Sequence, residues 1–314
     1  MRQYFKSNGK FMLTGEYLVL KGATALALPL NLGQDMCVDT LDDNDGRIYW
    51  NASIKSTDIA QRHWFSSIIN KNDFSIVDTD NKEISKRLSD ILSEIKSLND
   101  NVFNDSHDYR FSTILDFDPH WGLGSSSTLI NNLSKWAQID PYKLLESTFK
   151  GSGYDIACAA SSSPIFYKIK TQQTSLSRQV SSADFNPDFK DMLYFVYHGH
   201  KQNSAKEVKA FLGKDKDYEN EISAVSEISE SLPKIKNISD FCYLMKMHED
   251  IIASCISHDK IGDSFPDFEG QLKSLGAWGG DFFMAATNWD EMKVRSYFEN
   301  KGHNIIIRYK DIIC

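Results

Sequence analysis

The stretch Trp121-Gly122-Leu123-Gly124-Ser125-Ser126-Ser127-Thr128 limits what this chain can fold into more than any other. It follows an alternating segment, Tyr109 to Phe117, in which Tyr109, Phe111, Thr113, Leu115 and Phe117 form one face of a strand. It runs into Leu129, Ile130, Leu133, Trp136 and Ala137, which recur at helical spacing. The order is therefore strand, glycine turn, helix. Glycines let the backbone approach a ligand closely. The first N–H groups and the positive end of a helix suit an anion, and three serines add hydroxyl donors. Two readings stand at this point: a phosphate-binding turn, and a flexible Gly/Ser turn closed by a serine N-cap. A Walker-type loop is excluded, because no Gly-Lys-Ser/Thr follows at the required spacing.

The remaining composition narrows the setting. A chain of 314 residues has room for two domains and a sizeable core. Its net charge of -8 argues against nucleic acid as a partner, while leaving room for a nucleotide in a locally basic pocket. No apolar run reaches the roughly 18 residues of a membrane span, and the N-terminus lacks the apolar stretch of a signal peptide. Cys37, Cys158, Cys242, Cys255 and Cys314 are scattered, with no Cys-x-x-Cys pair, which fits a reduced cytoplasmic protein without structural zinc. His198 and His200 alternate as if on one strand face, which is too little for a metal centre.

In chain order, residues 3 to 54 read as strand-rich, and residues 55 to 79 as mixed. Asp80 to Leu98 predicts a helix with Ile84, Leu88, Ile91, Leu92, Ile95 and Leu98 on one stripe, capped by Asp80 and Glu83. Asp140-Pro141 opens a short helix through Phe149. Gly151-Ser152-Gly153-Tyr154-Asp155-Ile156-Ala157 is a second glycine turn entering a helix of small residues. Pro164 to Lys170 predicts a strand, and Thr171 to Asn186 a mobile serine-rich connection. Met192 to Tyr197 predicts a buried strand, followed by helices over about 203–212, 217–231 and 238–257. A third turn, Gly276-Ala277-Trp278-Gly279-Gly280-Asp281, leads into a strand from Phe282 to Ala286. Asn288 and Glu291 cap a helix to about Asn300, and His303 to Arg308 closes as a strand. The expected division is an N-terminal domain over 1–187 and a C-terminal domain over 188–314.

The ordered set of turns carries a resemblance. Gly9-Lys10 with Gly15-Glu16-Tyr17, then Gly122-Leu123-Gly124-Ser125-Ser126, then Gly276 to Gly280 resemble the three motifs of the GHMP kinase superfamily, from about residue 7 to 287. The likeness is closest to its phosphomevalonate and mevalonate kinase branch. Gly151 to Ala157 resembles that branch's Gly-Ser-Gly-x-Asp-Ile-Ala segment, and Gly199-His200-Lys201-Gln202-Asn203-Ser204 its substrate-side stretch. The resemblance implies an α+β fold in two domains, with a ribosomal-protein-S5-domain-2-like N-terminal part and a ferredoxin-like C-terminal part. It implies ATP and Mg²⁺ as cofactors and a small acceptor, mevalonate or its 5-phosphate, with no nucleic acid or membrane partner. Lys10 and Asp155 would be catalytic. Gly122, Leu123, Gly124, Ser125, Ser126 and Ser127 would hold the nucleotide phosphates, and Ser126 and Glu146 the metal. Glu16, Lys201, Ser204, Gly279 and Gly280 would contact the acceptor.

The chain also departs from the family pattern. Asn8 stands where proline is usual, and Pro119 lies one residue closer to the glycine turn. Trp278 replaces a glycine and is expected to narrow the third turn. The chemistry is coherent on general grounds. Phosphoryl transfer needs positioning and charge compensation more than covalent help. A carboxylate can orient a hydroxyl, an ammonium can balance developing charge, and Mg²⁺ prefers oxygen ligands. Each residue also has an ordinary role open to it: Asp155 as a helix cap, Lys10 as a surface charge, Glu146 as a solvated side chain. Other functions fitting the same motifs are a kinase of another alcohol or sugar, a metabolite-binding homologue without catalysis, and an ATP-dependent decarboxylase. The Gly-Lys and Gly-Glu opening argues against the last.

Overall fold

The structure, a computed structural model, describes residues 1–56, 61–149, 151–172, 175–199, 204–276, 278 and 281–314. In chain order the strands are β1 (Arg2–Thr14), β2 (Ala25–Leu41), β3 (Arg47–Ile54), β4 (Arg62–Asn70), β5 (Ile76–Thr79), β6 (Asp108–Leu115), β7 (Ile165–Gln172), β8 (Ser175–Ser182), β9 (Leu193–Tyr197), β10 (Gln271–Ser274), β11 (Phe282–Ala286) and β12 (Ile306–Arg308). The helices are α1 (Lys82–Leu98), α2 (Ser125–Ala137), α3 (Pro141–Thr148), α4 (Tyr154–Ala160), α5 (Ser204–Leu212), α6 (Glu219–Ser231), α7 (Ile238–Ile256), α8 (Glu291–Glu299) and α9 (Tyr309–Ile312). A short 3-10 turn, Leu18–Lys21, separates β1 from β2.

The chain forms two compact units. The first comprises Met1–Gly9, Leu32–Pro119 and Leu123–Ala160; the second comprises Lys10–Asn31, His120–Gly122 and Ser161–Cys314. β1 and β2 contribute residues to each.

In the first unit the strands lie in the order β5-β4-β3-β6-β2. β3 runs parallel to β6 with Trp50 opposite Phe111, and β2 runs antiparallel to β6 with Val38 opposite the same Phe111. Side chains at alternate positions share a face, so Val38, Trp50 and Phe111 form one apolar row. Leu88, Ile91, Leu92 and Ile95 of α1, and Ile130 and Leu133 of α2, are buried in the same cluster. Phe111 stacks on Trp50 at 5.0 Å and meets the edge of Trp136 at 4.9 Å. The helical stripe predicted for α1 is present, with a different cap. Asn81 is the N-cap and its Oδ1 accepts from Ile84 N. The Asp80 carboxylate is occupied instead by the backbone and hydroxyl of Ser66 and by His63. Asp140 caps α3 as expected, with Pro141 at its first position.

The second unit holds the start of β2, paired with β7 through Ala25, Leu26 and Ala27. The predicted mobile connection after Lys170 is instead a strand: β8 pairs antiparallel with β7 from Ile165 opposite Ser182 to Gln172 opposite Ser175. β8 ends its sheet, so Ser177, Gln179, Ser181 and Ser182 meet little apolar surface, and their polarity hid the strand. A second, all-antiparallel sheet has the order β10-β11-β9-β12. With helices between β9 and β10 and α8 between β11 and β12, this is the ferredoxin-like strand-helix-strand-strand-helix-strand arrangement. Tyr194, Val196, Phe283, Ala285 and Ile306 of this sheet bury with Val294 and Phe298 of α8. Asp290, not Asn288, caps α8, its carboxylate accepting from Lys293 N. β12 is shorter than predicted because His303 N is bonded to Phe298 O at the helix end. Among the described residues no helix is long and apolar enough to cross a membrane.

Candidate functional site

The glycine turn gets its shape from two left-handed residues. Gly122 has φ 69° and Gly124 has φ 100°, values that cost an L side chain about 1–2 kcal/mol each. Gly124 is the N-cap of α2 and brings no side chain to cap the first N–H groups of the helix. Leu123 is buried and pins the turn between the two glycines. Ser126 is exposed on the first turn of α2, while Ser125 is half-buried. Ser127 is buried, and its hydroxyl donates back to Gly124 O at 2.9 Å. The three serines thus differ: Ser127 shapes the turn and Ser126 faces outward.

Beneath α2 lies a polar underside that the helical stripe did not reveal. Ser7 Oγ donates to Asn132 Oδ1 at 2.6 Å and accepts from Asn131 Nδ2 at 2.8 Å. Asn132 Nδ2 donates to Gln34 O at 2.9 Å, and Thr128 Oγ1 lies 3.1 Å from Gln34 Oε1. Ser7, Gln34, Thr128, Asn131 and Asn132 are all buried. Buried amides are costly unless paired, so this network tolerates one register of α2 against β1 and β2. The signal available in the sequence was the pair Asn131-Asn132 inside an apolar helix.

α3 and α4 both pack against α2. Asp155 lies half-buried in the first turn of α4, behind Gly153 at φ 87°, and its Oδ1 accepts from Ile156 N at 3.1 Å. Glu146 is exposed on α3. Glu146 and Asp155 therefore stand on two helices that each pack against α2, the helix that carries Ser126.

In the second unit, Lys10 is half-buried near the middle of β1 and donates from Nζ to Gly122 O at 2.8 Å. Asp281 closes on the same glycine: a Cβ on Gly122 would fall inside the Asp281 carboxylate. Sequence reasoning placed Asp281 at the end of the third turn without giving it a role. Gly279, Gly280 and Lys201 lie outside the described residues, and Ser204 opens α5. Trp278 has φ 58° and is 1% exposed, packed with Tyr17, Leu18, Phe211 and Tyr218. Its side chain enters the core, and burying so large a ring offsets a left-handed backbone cost of about 1–2 kcal/mol.

Glu16 is 1% exposed and its partners are protein groups. Its Oε1 accepts from Lys273 Nζ at 2.6 Å, and Lys273 is 3.2 Å from Glu249 Oε1. Glu249 in turn accepts from the backbone and hydroxyl of Ser274. His248 Nε2 accepts from Gly15 N at 2.9 Å. Burial, and then the nearby Lys273 charge, hold this imidazole neutral, well below its usual pKa. The 3.4 Å approach of His248 to Glu16 Oε2 is therefore not an ion pair. Burial raises the Glu16 carboxyl to about 7 against the opposing pull of Lys273, and burial raises Glu249 as well.

Two outcomes follow. Gly122→Ala should lower unfolding free energy by more than the roughly 1–2 kcal/mol of its φ strain, because the methyl meets Asp281. Asp281→Ala in the same chain should recover the excess, and additive urea midpoints would show the contact to be absent. For Glu16, the folded carboxyl binds its proton more tightly than the unfolded one. Its contribution to stability is present below pH about 4.5 and is lost as pH rises through about 7. The stability difference between wild type and Glu16→Gln should therefore shift against wild type across that window, measured by denaturation at each pH. A constant difference would place the Glu16 carboxyl at its ordinary value.

No family model matches the chain, and no curated protein matches it. Solved structures do. The Methanococcus jannaschii mevalonate kinase is similar over 96% of this chain and 95% of its own, with TM-score 0.66 and 17% identity. The Streptococcus pneumoniae phosphomevalonate kinase in complex with phosphomevalonate and AMPPNP is similar over 98% and 99%, with TM-score 0.68 and 15% identity. A D-glycero-D-manno-heptose 1-phosphate kinase from Bacteroides thetaiotaomicron is similar over 100% and 96%, with TM-score 0.61 and 12% identity. Over nearly its whole length, the chain has the α+β fold of the GHMP kinases.

Proposed function

We propose that this protein is an ATP-dependent small-molecule kinase acting on an acceptor of the mevalonate branch, phosphomevalonate or mevalonate. The observation that carries the reading is the turn at 122–126: two left-handed glycines deliver an uncapped helix start, while Lys10 is bonded to the carbonyl of the first glycine. The arrangement suits an anionic chain of phosphates better than it suits a plain linker, which has no use for an ammonium fixed on its backbone. Residues 1–187 would form the nucleotide-binding and catalytic domain and 188–314 the second.

Bound Mg²⁺-ATP supplies the phosphoryl group and part of its charge compensation. The N–H groups of Ser125, Ser126 and Ser127, with Gly122, Leu123 and Gly124 behind them, hold phosphate oxygens. The exposed hydroxyl of Ser126 and the carboxylate of Glu146 are oxygen donors of the kind Mg²⁺ takes. Asp155 orients the acceptor hydroxyl and receives its proton, and Lys10 balances the charge that develops as the proton leaves. Lys201, Ser204, Gly279 and Gly280 would contact the acceptor. Glu16 supports this side from within the core, where its partners leave it no direct contact with solvent.

The acceptor preference is for phosphomevalonate. Lys201, with the titratable imidazole of His200 and the neutral polar side chains of Gln202, Asn203 and Ser204, offers the setting for a charge-assisted phosphate contact. A solved structure of the same fold is a complex with phosphomevalonate and AMPPNP. The test is coupled ADP release with mevalonate, phosphomevalonate, galactose and homoserine, on wild type and Asp155→Asn. Phosphomevalonate should turn over, and Asp155→Asn should lower kcat by about a hundredfold or more while ATP still binds. Turnover of mevalonate alone would reverse the acceptor preference. Activity on galactose or homoserine alone would remove the mevalonate branch, and ATP binding with no turnover of any acceptor would favour a metabolite-binding protein.

A further inference from the structure

Four titratable side chains meet out of water in the second unit. Glu16 and Glu249 are each 1% exposed, and Lys273 and His248 are 0% exposed. They come from three places far apart in sequence: the turn after β1, the middle of α7, and the end of β10. Lys273 Nζ joins them, donating to Glu16 Oε1 at 2.6 Å and to its neighbour Ser274 O, and lying 3.2 Å from Glu249 Oε1. The indole of Trp278 lies 5.6 Å from the same ammonium.

What the cluster holds is a strained piece of backbone. Gly15 has φ 92° and Tyr17 φ 60°, so the chain leaves β1 through two left-handed residues. A Cβ on Gly15 would stand 2.7 Å from Ala25 Cβ, so the turn is also pressed against the start of β2. The Gly15 N–H is satisfied by His248, and the Glu16 side chain by Lys273. On the far side, Lys273 and Ser274 are the last residues of β10, just before Gly276 at φ 63° and Trp278 at φ 58°. A buried ion pair of this sort contributes little to net stability compared with an apolar equivalent. The best-attested use of such a pair is to fix one geometry.

We propose that Lys273 is a positioning residue: it clamps the Gly15–Tyr17 turn to the end of β10, and so fixes both the strand that carries Lys10 and the start of the third glycine turn. Lys10 lies four residues before Thr14, where β1 ends, and Thr14 is itself held by Ser229 Oγ at 2.7 Å. A turn released from Lys273 would loosen the end of that strand. The part of the proposal that concerns Lys10 rests on the kinase reading; the clamp itself does not.

The experiment compares wild type, Lys273→Met and the double variant Glu16→Gln/Lys273→Met, which removes one charge of each sign if the single variant does not fold. Amide hydrogen exchange is followed in peptides covering 13–20 and 270–276, with 88–98 as an internal control. ADP release is followed with phosphomevalonate and ATP. In a folded variant both segments should exchange faster by about tenfold or more while the control is unchanged. kcat should fall by about tenfold or more with the KM for ATP nearly unchanged. Unchanged exchange at 13–20 or at 270–276 would overturn the clamp. Faster exchange with an unchanged kcat would overturn the positioning of Lys10. If wild type turns over no acceptor, the kinase reading has failed, and the exchange result alone decides whether Lys273 clamps the two segments.

Discussion

The uncapped start of α2 is the constraint on which the rest of the first unit depends. A helix whose N-cap is glycine gives up a few tenths of a kcal/mol relative to a Ser or Asp cap, and its N-cap residue brings no side chain to its first N–H groups. Gly124 makes that choice by geometry, since its left-handed backbone admits no capping residue cheaply. The helix is then held by other means. Its polar underside locks onto Ser7 and Gln34 through Asn131, Asn132 and Thr128, and its apolar side packs with Phe111 through Trp136. Apolar packing alone would allow small slides and rotations of α2. Amides that must each meet a partner do not.

The second unit solves a similar problem with charge. Here the demanding element is a turn with left-handed residues at Gly15 and Tyr17, and the lock is Lys273 with Glu16 and Glu249. The two devices differ in their response to pH. Amide and hydroxyl pairs are indifferent to it. The acidic pair around Lys273 carries one more negative charge than positive when both carboxylates are ionised and His248 is neutral. Burial is the main reason the Glu16 carboxyl is raised, Lys273 opposes it, and the neighbouring Glu249 charge adds a smaller push in the same direction as burial.

Much of this was legible in the sequence, for identifiable reasons. The long helices α1, α2 and α7 carry apolar stripes, and stripes report directly on a buried face. The glycine turns were visible because left-handed backbone needs glycine, as Gly15, Gly122, Gly124 and Gly153 illustrate. β8 was missed because an end strand needs no apolar face, and the caps of α1 and α8 were misassigned among neighbouring Asx residues that cap equally well. The buried network under α2 and the Lys273 cluster were invisible for a different reason. Lys273 and Glu249 look like surface charges in their local sequence, Glu16 reads as an acceptor contact, and only the fold brings Lys273 to Glu16 from 257 positions away.

Trp278 shows how a departure from a family pattern can be absorbed. The sequence leads to the expectation that an indole narrows the third turn. The backbone at that position has a left-handed φ of 58°, the conformation that favours glycine. The side chain instead fills the cluster of Tyr17, Phe211 and Tyr218, the same cluster that backs the Gly15–Tyr17 turn. The residue thus exchanges conformational freedom in one turn for packing beneath another, and it lies over the ammonium of Lys273. The two turns of this unit are therefore supported by common material. Trp278 thus packs against Tyr17 of the N-terminal turn as well as standing in its own.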